Sequence, residues 1–546
     1  MIVNRVLLIL ILVLLIFPTL YSKEIINKYS CNELPIQEES NVIDVNIAIY
    51  TDEKETDDEF YSQYRRTRYF VYALKDYSWQ VGKNIYKFNI DILSRMDLIT
   101  GKLNRFNYDV MIYPPDMVYE KIIQGLSKYQ FRNIHERIII KNFIKGGGGF
   151  FGTCAGGVIA NLDSIEIDGI YGRLYGSLDL DISKINVEID KAAMPLFCEL
   201  KGRNPEDIGP LSAYYWYSGW NQTDYSINFQ TGVCLDVKIY KNNPIFQGYH
   251  GDSRRIRWIG GPPFLIPENT NNIYLLASFP NQEISDNEST LIHYWDYTGG
   301  FLGLLKGMFK INNLHYFSQF GPLLKLYCFS GDWNKLENKP VITNFSNKPF
   351  MTAEIYPNEN KARIIRCTGH PEHNVWWGGY INETDDKKYN NQFDAFYKWE
   401  NVIPDYETIE DEFSYNYWII RRCVAWASKK IPDNHLPTTY GPSEVCKPEH
   451  YYNPSIINLM GSSEIVKDKS KLDLFYRYSK DNESWSNWTY YCSDFDVLDG
   501  WSWVFNSKNV YGTGFYEFYS IRTIDYENYY EKERKPPMRD INLYLI

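Results

Sequence analysis

Cys154 sits in the run GGGGFFGTCAGG (146–157), crowded by residues that carry no side chain. A buried structural thiol needs no such company. A nucleophile raised on a tight strand-to-helix turn does need it, because the central residue takes up strained backbone geometry. Small neighbours then keep the strand and the following helix from colliding. In that arrangement the thiol stands beside the first free amides of the helix, and amides and dipole together favour thiolate over thiol. The alternative on this segment alone is a glycine-rich loop with an incidental cysteine. A Walker phosphate loop is excluded, since no Lys-Ser/Thr pair follows the glycines.

A cysteine nucleophile needs a base, and the base needs a carboxylate to fix its tautomer. Gly369-His370-Pro371-Glu372 supplies both two residues apart, on a chain leaving the apolar run Arg363 to Thr368. The metal reading of His370, Glu372 and His373 is set aside. Their spacing matches neither zinc-helix motif, and Pro371 disfavours a continuous helix. No metal and no cofactor is therefore expected, and the other six histidines, among them His135 and His293, read as isolated structural residues.

The elements that must position these groups are visible on either side of them. VNIAIY (45–50), YKFNIDIL (86–93), YDVMIYPP (108–115) and GGFFGT (148–153) read as strands. FYSQYRRTRYFVYALKDY (60–77) and NIHERIIIKNFIKGG (133–147) carry apolar residues at helical spacing, the second closing on glycine. Strands alternating with helices imply an α/β fold with a doubly wound parallel sheet. Cys154 then falls at the carboxyl end of a strand, where open α/β sheets place their chemistry. KPFMTAEIYPNENKARIIRCTGHPEHNVWWGG (348–379) reads as a hairpin whose second strand delivers His370 onto a loop. DEFSYNYWIIRRCVAWASKK (411–430) reads as an amphipathic helix that closes the domain.

Taken together, Gly-x-Cys-x-Gly and a downstream His-Pro-Glu after a strand resemble the signature of class I glutamine amidotransferase-like domains. GGGGFFGTCAGG and RIIRCTGHPEH, with NPIFQGYHGDSRRIRWIGGPPF (243–264) between them, look most like the amidotransferase-like domain at the N-terminus of some biotin-protein ligases. The resemblance spans about residues 43 to 430, closely at the two motifs and loosely between them. It implies a flavodoxin-like sheet, with Cys154 as nucleophile, His370 as base and Glu372 as the carboxylate that orients it. The long interval from Cys154 to His370 implies an inserted subdomain within about 165–350.

Two departures from the pattern bear on activity. No ligase or synthase domain follows, so ammonia released from glutamine has no evident acceptor. Relatives usually carry a glycine where this chain has Pro115, and the glycine's N–H serves the oxyanion. Proline has none to give. Asp116 is the candidate donor in its place, with the Ala155 amide as the other.

Residues 431–454 (IPDNHLPTTYGPSEVCKPEHYYNP) read as a linker rich in Pro, Asn and Ser. Beyond it, 455–546 alternates in short runs broken by turn residues, which reads as a small, independent all-β sandwich. This part resembles immunoglobulin-like or fibronectin-like modules of exported archaeal proteins. Trp485, Trp488, Trp501 and Trp503 are either a sugar-stacking platform or, more commonly for such modules, the sandwich core.

At the N-terminus, Arg5 precedes the unbroken apolar run Val6 to Phe17, followed by Pro18 and Ser22. Residues 1–22 therefore read as a signal peptide or an N-terminal membrane anchor, and the sequence does not separate the two. The expected location is outside the cell or on the outer face of its membrane. Nine cysteines without any Cys-x-x-Cys pair leave at least one thiol unpaired, with Cys154 the candidate. The formal charge of −11 with scattered Lys and Arg argues against a nucleic-acid partner. At 546 residues the chain exceeds one ordinary core.

The resulting expectation is an exported or anchored amidotransferase-like protein that hydrolyses a small-molecule or peptide amide, or a related acyl compound, through a thioester. Cell-surface components are the candidate partners of the sandwich, and the membrane is met only through the N-terminal segment. The rival is a non-catalytic cell-surface binding protein that keeps the fold with an incomplete oxyanion hole.

Overall fold

A computed structural model describes residues 40–51, 64–115, 130–161, 180–187, 233–258, 261–268, 271–281, 346–356, 360–373 and 413–546. The last stretch excludes 464–469, 496–499, 527 and 537–538, and a few two- and three-residue strands are described between 199 and 403. Residues 1–22 and most of the expected insertion lie outside the described residues. Among the described residues, no helix is long and apolar enough to cross a membrane.

The amino-terminal half runs β1 (Asn41–Thr51), α1 (Tyr64–Leu74), β2 (Ser78–Val81), β3 (Asn84–Ser94), α2 (Arg95–Ile99), β4 (Val110–Tyr113), α3 (Gln130–Lys145), β5 (Gly149–Thr153) and α4 (Ala155–Val158). It continues with β6 (Val233–Ile239), β7 (Ser253–Trp258), β8 (Ile273–Ser278), β9 (Pro349–Ile355), β10 (Arg363–Cys367) and α5 (Tyr417–Ser428). The C-terminal strands are β11 (Glu444–Asn453), β12 (Ile456–Ser462), β13 (Ser470–Ser479), β14 (Thr489–Asp494), β15 (Trp501–Asn506), β16 (Gly514–Tyr526), β17 (Tyr529–Lys532) and β18 (Ile541–Leu545).

One mixed sheet of 15 strands carries the molecule, in the order β14-β13-β16-β17-β2-β3-β1-β4-β5-β10-β9-β8-β6-β7, with β18 pairing β16. Its centre, β1-β4-β5-β10, is parallel. Strands buried on both faces must be apolar throughout, and these are. Ile47, Ile49, Val110, Ile112, Phe151 and Ile365 point into one core with α1 and α5. Ala48, Tyr50, Met111, Tyr113, Phe150 and Ile364 point into the opposite core with Leu98 of α2 and Ile140, Phe143 and Ile144 of α3. Helices thus cover both faces of the parallel centre, while the sheet as a whole is mixed and the described residues are mostly β.

The 348–379 hairpin forms as β9 and β10, antiparallel from Met351↔Cys367 to Ile355↔Arg363. Within the 165–350 interval, β6, β7 and β8 extend the same sheet by antiparallel pairing instead of standing apart from it. Helix α5 is buried at every position, including Arg421 and Arg422. Arg421 donates to the Ala73 carbonyl at 2.9 Å and lies over the Tyr77 ring, and Arg422 donates to the carbonyls of Pro244, Ile245 and Pro437. The buried cations are therefore satisfied by backbone oxygen.

The C-terminal strands do pack as two facing sheets, with Leu459, Leu474, Trp501, Trp503, Phe505 and Phe518 between them. They are not independent of the rest. Strand β17 pairs antiparallel with β2, Trp79 opposite Glu531, so the sandwich continues the large sheet, and Ile43–Ile546 form one compact unit. The stretch 431–454 is likewise no free linker. It contains β11, which pairs with β12, and Trp79 Nε1 donates to the His435 carbonyl at 2.8 Å. The physical reason is the edge of β2: a short strand with an open row of amides is closed by β17 instead of being left to solvent. Buried carboxylates pin the joint. Glu531 accepts from Tyr77 and from the Thr438 amide, and Glu533 accepts from Tyr415 at 2.8 Å and from Ser443 Oγ at 2.6 Å.

Candidate active site

Strand β5 ends at Thr153, and α4 begins at Ala155. Cys154 is the residue between them, with φ 47° and ψ −121°, in the left-handed region that a side chain rarely occupies. The turn closes because its neighbours have no Cβ. A Cβ on Gly152 would lie 2.3 Å from the Gly156 carbonyl oxygen, and one on Gly156 would lie 2.1 Å from that of Tyr113. The Cys154 amide donates to the Cys367 carbonyl at 2.8 Å, fastening the turn to the end of β10. Three residues later β10 has delivered His370, whose amide donates to the Arg257 carbonyl at 2.8 Å at the end of β7.

The structure brings Cys154, His370 and Glu372 into one buried cluster, at 7%, 1% and 0% exposure. His370 Nδ1 lies 2.9 Å from Glu372 Oε1, which also accepts from Thr153 Oγ1 at 3.3 Å. The Cys154 sulfur is near enough to the ring for its charge to act on it. Burial pulls the His370 pKa down, but the charge of Cys154, then that of Glu372, and the hydrogen bonds to both outweigh it and hold the ring up at about 9. The protonated ring is thus the stable form at neutral pH, flanked by a sulfur and a carboxylate.

On the oxyanion side, no backbone acceptor among the described residues takes the N–H groups of Ala155 or Gly156, the first two of α4. Pro115 is buried nearby, after β4, and has no N–H. Asp116 lies outside the described residues. Of the two candidate donors, only Ala155 is among the described residues.

His373 and Arg257 belong to the same cluster, although the sequence assigned neither a part in the triad. His373 is 1% exposed and stacks on Tyr69 with ring centroids 4.8 Å apart. Its Nδ1 faces Arg257 Nη1 at 3.3 Å, and its Nε2 lies 3.7 Å from Glu372 Oε1. Burial, then the His370 and Arg257 charges, push its pKa well below the ordinary value, so the ring is neutral. His370, Glu372 and His373 offer ligand atoms within 4.8 Å of one another. The Arg257 guanidinium, a fixed cation against His373, makes this a chain of hydrogen-bonding groups and a poor cradle for a second cation. Alternation over Ser253 to Trp258 groups Arg257 with Ser253 and Arg255, so the sequence carries no signal for its burial, and Ile256, Arg257 and Trp258 are in fact buried alike.

Of the four tryptophans singled out at the C-terminus, Trp501 and Trp503 are core at 6% and 3% exposure. Trp485 and Trp488 are half-buried, each 4.9 Å from the Arg477 guanidinium. Among the described residues, Cys154, Cys367, Cys423 and Cys492 are free thiols.

Comparison with protein-family models and with curated proteins finds no match to this chain.

Proposed function

We propose that the protein is an exported or membrane-anchored, cysteine-dependent amidase of the amidotransferase-like kind, built on a flavodoxin-like doubly wound sheet and acting on an amide or related acyl compound. The observation that carries this reading is Cys154, held at positive φ on a strand-to-helix turn against a histidine that a carboxylate orients. The likeness of both motifs to class I amidotransferases supports it, as do the parallel central strands flanked by helices. The exported location rests on residues 1–22 of the sequence alone.

In this mechanism the Cys154 thiolate attacks the acyl carbon, and the oxyanion is received by the free amides at the start of α4. The His370 imidazolium gives its proton to the leaving amine, the C–N bond breaks, and a thioester remains. Neutral His370 then takes a proton from water, hydroxide adds to the thioester, and the carboxylic acid leaves as the thiolate is restored. Glu372 holds the ring by Nδ1 throughout, so that Nε2 does the proton transfer. No metal or cofactor enters these steps.

Pro115 favours a second reading, a cell-surface binding protein whose oxyanion site lacks one donor, with cell-surface components bound through the sandwich. The test is release of ammonia or amine from glutamine and a panel of γ-glutamyl and peptide amides by the full chain. Turnover that disappears in Cys154→Ser supports the amidase. No turnover, together with Cys154 reacting no faster than free cysteine, supports the binder.

A further inference from the structure

Three contacts in the cluster run in series: Arg257 Nη1 to His373 Nδ1 at 3.3 Å, His373 Nε2 to Glu372 Oε1 at 3.7 Å, and Glu372 Oε1 to His370 Nδ1 at 2.9 Å. Guanidinium has donors only, so the nitrogen facing it must accept. The single proton of neutral His373 therefore sits on Nε2, directed at the carboxylate. At 3.7 Å that contact is longer than a hydrogen bond, but an N–H dipole beside a carboxylate in a dry interior is still attractive. Glu372 is anchored through one oxygen only. Oε1 receives His370 and Thr153 and lies 3.7 Å from His373 Nε2, while Oε2 has no hydrogen-bond partner among the described residues. A carboxylate fixed at one corner rotates when a corner contact is lost.

We propose that Arg257 and His373 are positioning residues of the site: Arg257 fixes the Nε2–H tautomer of His373, and His373 keeps the Glu372 carboxylate turned toward His370. The arrangement is rigid on every side. His373 is held between Tyr69 and the His370 ring, each 4.8 Å away, and its amide donates to the His370 carbonyl at 3.1 Å. Arg257 is bound back through its own carbonyl to the His370 amide. The ionisable groups facing the cluster from neighbouring elements are Tyr69 of α1, Cys234 of β6 and Cys367 of β10. This inference deepens the proposed amidase reading and concerns the same site.

The experiment is ¹⁵N NMR of the imidazoles in the full chain labelled at histidine, titrated from pH 5 to 10 without substrate. His373 should show the Nε2–H tautomer and no titration, and His370 should titrate near 9. His373→Phe keeps a ring on Tyr69 but removes the donor, and should lower the His370 midpoint by about one unit. His373→Gln keeps a donor near the Nε2 position and should leave it within about 0.3 unit. Arg257→Met should give His373 a mixture of tautomers. An Nδ1–H tautomer in the wild type overturns the proposal without any variant, and equal shifts in the Phe and Gln variants overturn it in favour of plain packing. Because the readout needs no turnover, a chain that hydrolyses no amide sinks the amidase reading and still leaves this result decisive.

Discussion

His370 Nδ1 and Glu372 Oε1 lie 2.9 Å apart across a single intervening proline, with neither residue more than 1% exposed. The protonated ring is favoured in the folded state, where its pKa is raised to about 9, over the unfolded chain, where it titrates at about 6.5. The stability that the protonated ring contributes through Cys154 and then Glu372 is thus complete below about pH 6.5 and is lost as pH rises through about 9. Denaturant unfolding of wild type and His370→Ala at pH 6 and pH 10 should show the gap between them narrowing at the higher pH. A gap that stays constant or widens would contradict the assignment.

Reactivity of Cys154 should follow the same pair. At pH 6.5 an ordinary thiol is about one part in a hundred thiolate, and an imidazolium next to a sulfur speeds its attack on an electrophile. Iodoacetamide at pH 6.5 should modify the full chain at least tenfold faster at Cys154 than it modifies free cysteine. His370→Ala should remove most of the difference. Mass spectrometry of the modified peptide distinguishes Cys154 from the chain's other cysteines.

Pro115 offers a gain-of-function test. Pro115→Gly adds a backbone N–H beside the start of α4, and one oxyanion donor is worth roughly a hundredfold or more in turnover. Amide hydrolysis by the variant should exceed that of the wild type by at least tenfold, with the Cys154 alkylation rate nearly unchanged. Unchanged turnover in a folded variant would mean that the missing donor is not what limits the site.

The elbow itself is open to a stability measurement. In Gly156→Ala the new methyl would stand 2.1 Å from the Tyr113 carbonyl oxygen and 2.7 Å from that of Pro114, both backbone atoms that cannot swing aside. Overpacking of this kind costs on the order of 2–4 kcal/mol. Urea unfolding should show that loss, while Gly101→Ala, at a position with nothing within 4 Å, should show only the smaller cost of its positive φ.

The chemistry-bearing residues are legible in the sequence because each motif is contiguous. Glycines around Cys154 and a proline between His370 and Glu372 are local signals with local causes, and the strands beside them are apolar runs that admit one interpretation. What is not legible depends on distance along the chain. Arg257 meets His373 across 116 positions, and nothing near Arg257 marks it as inward and charged for a purpose. The stretch 431–454 reads as a linker because it is rich in Pro, Asn and Ser, with Pro448 among its prolines. That proline falls at the register shift between Cys446 and His450, where a strand tolerates it. The join of β2 to β17 escapes for the same reason as Arg257: SWQV is four residues with no clear period, and its partner is elsewhere.

That join has a consequence for how the polypeptide comes off the ribosome. Tyr77 and Glu531, which meet at the seam, are separated by 454 positions, so the edge of β2 has no cover until β17 has been made. Contacts of such long range are slow to form, and an uncovered strand edge recruits whatever strand is near. A nascent chain of this design cannot mature domain by domain from its leading end. It must be kept from its neighbours until β17 arrives, and a product released before Tyr529 has been added would have its sheet open.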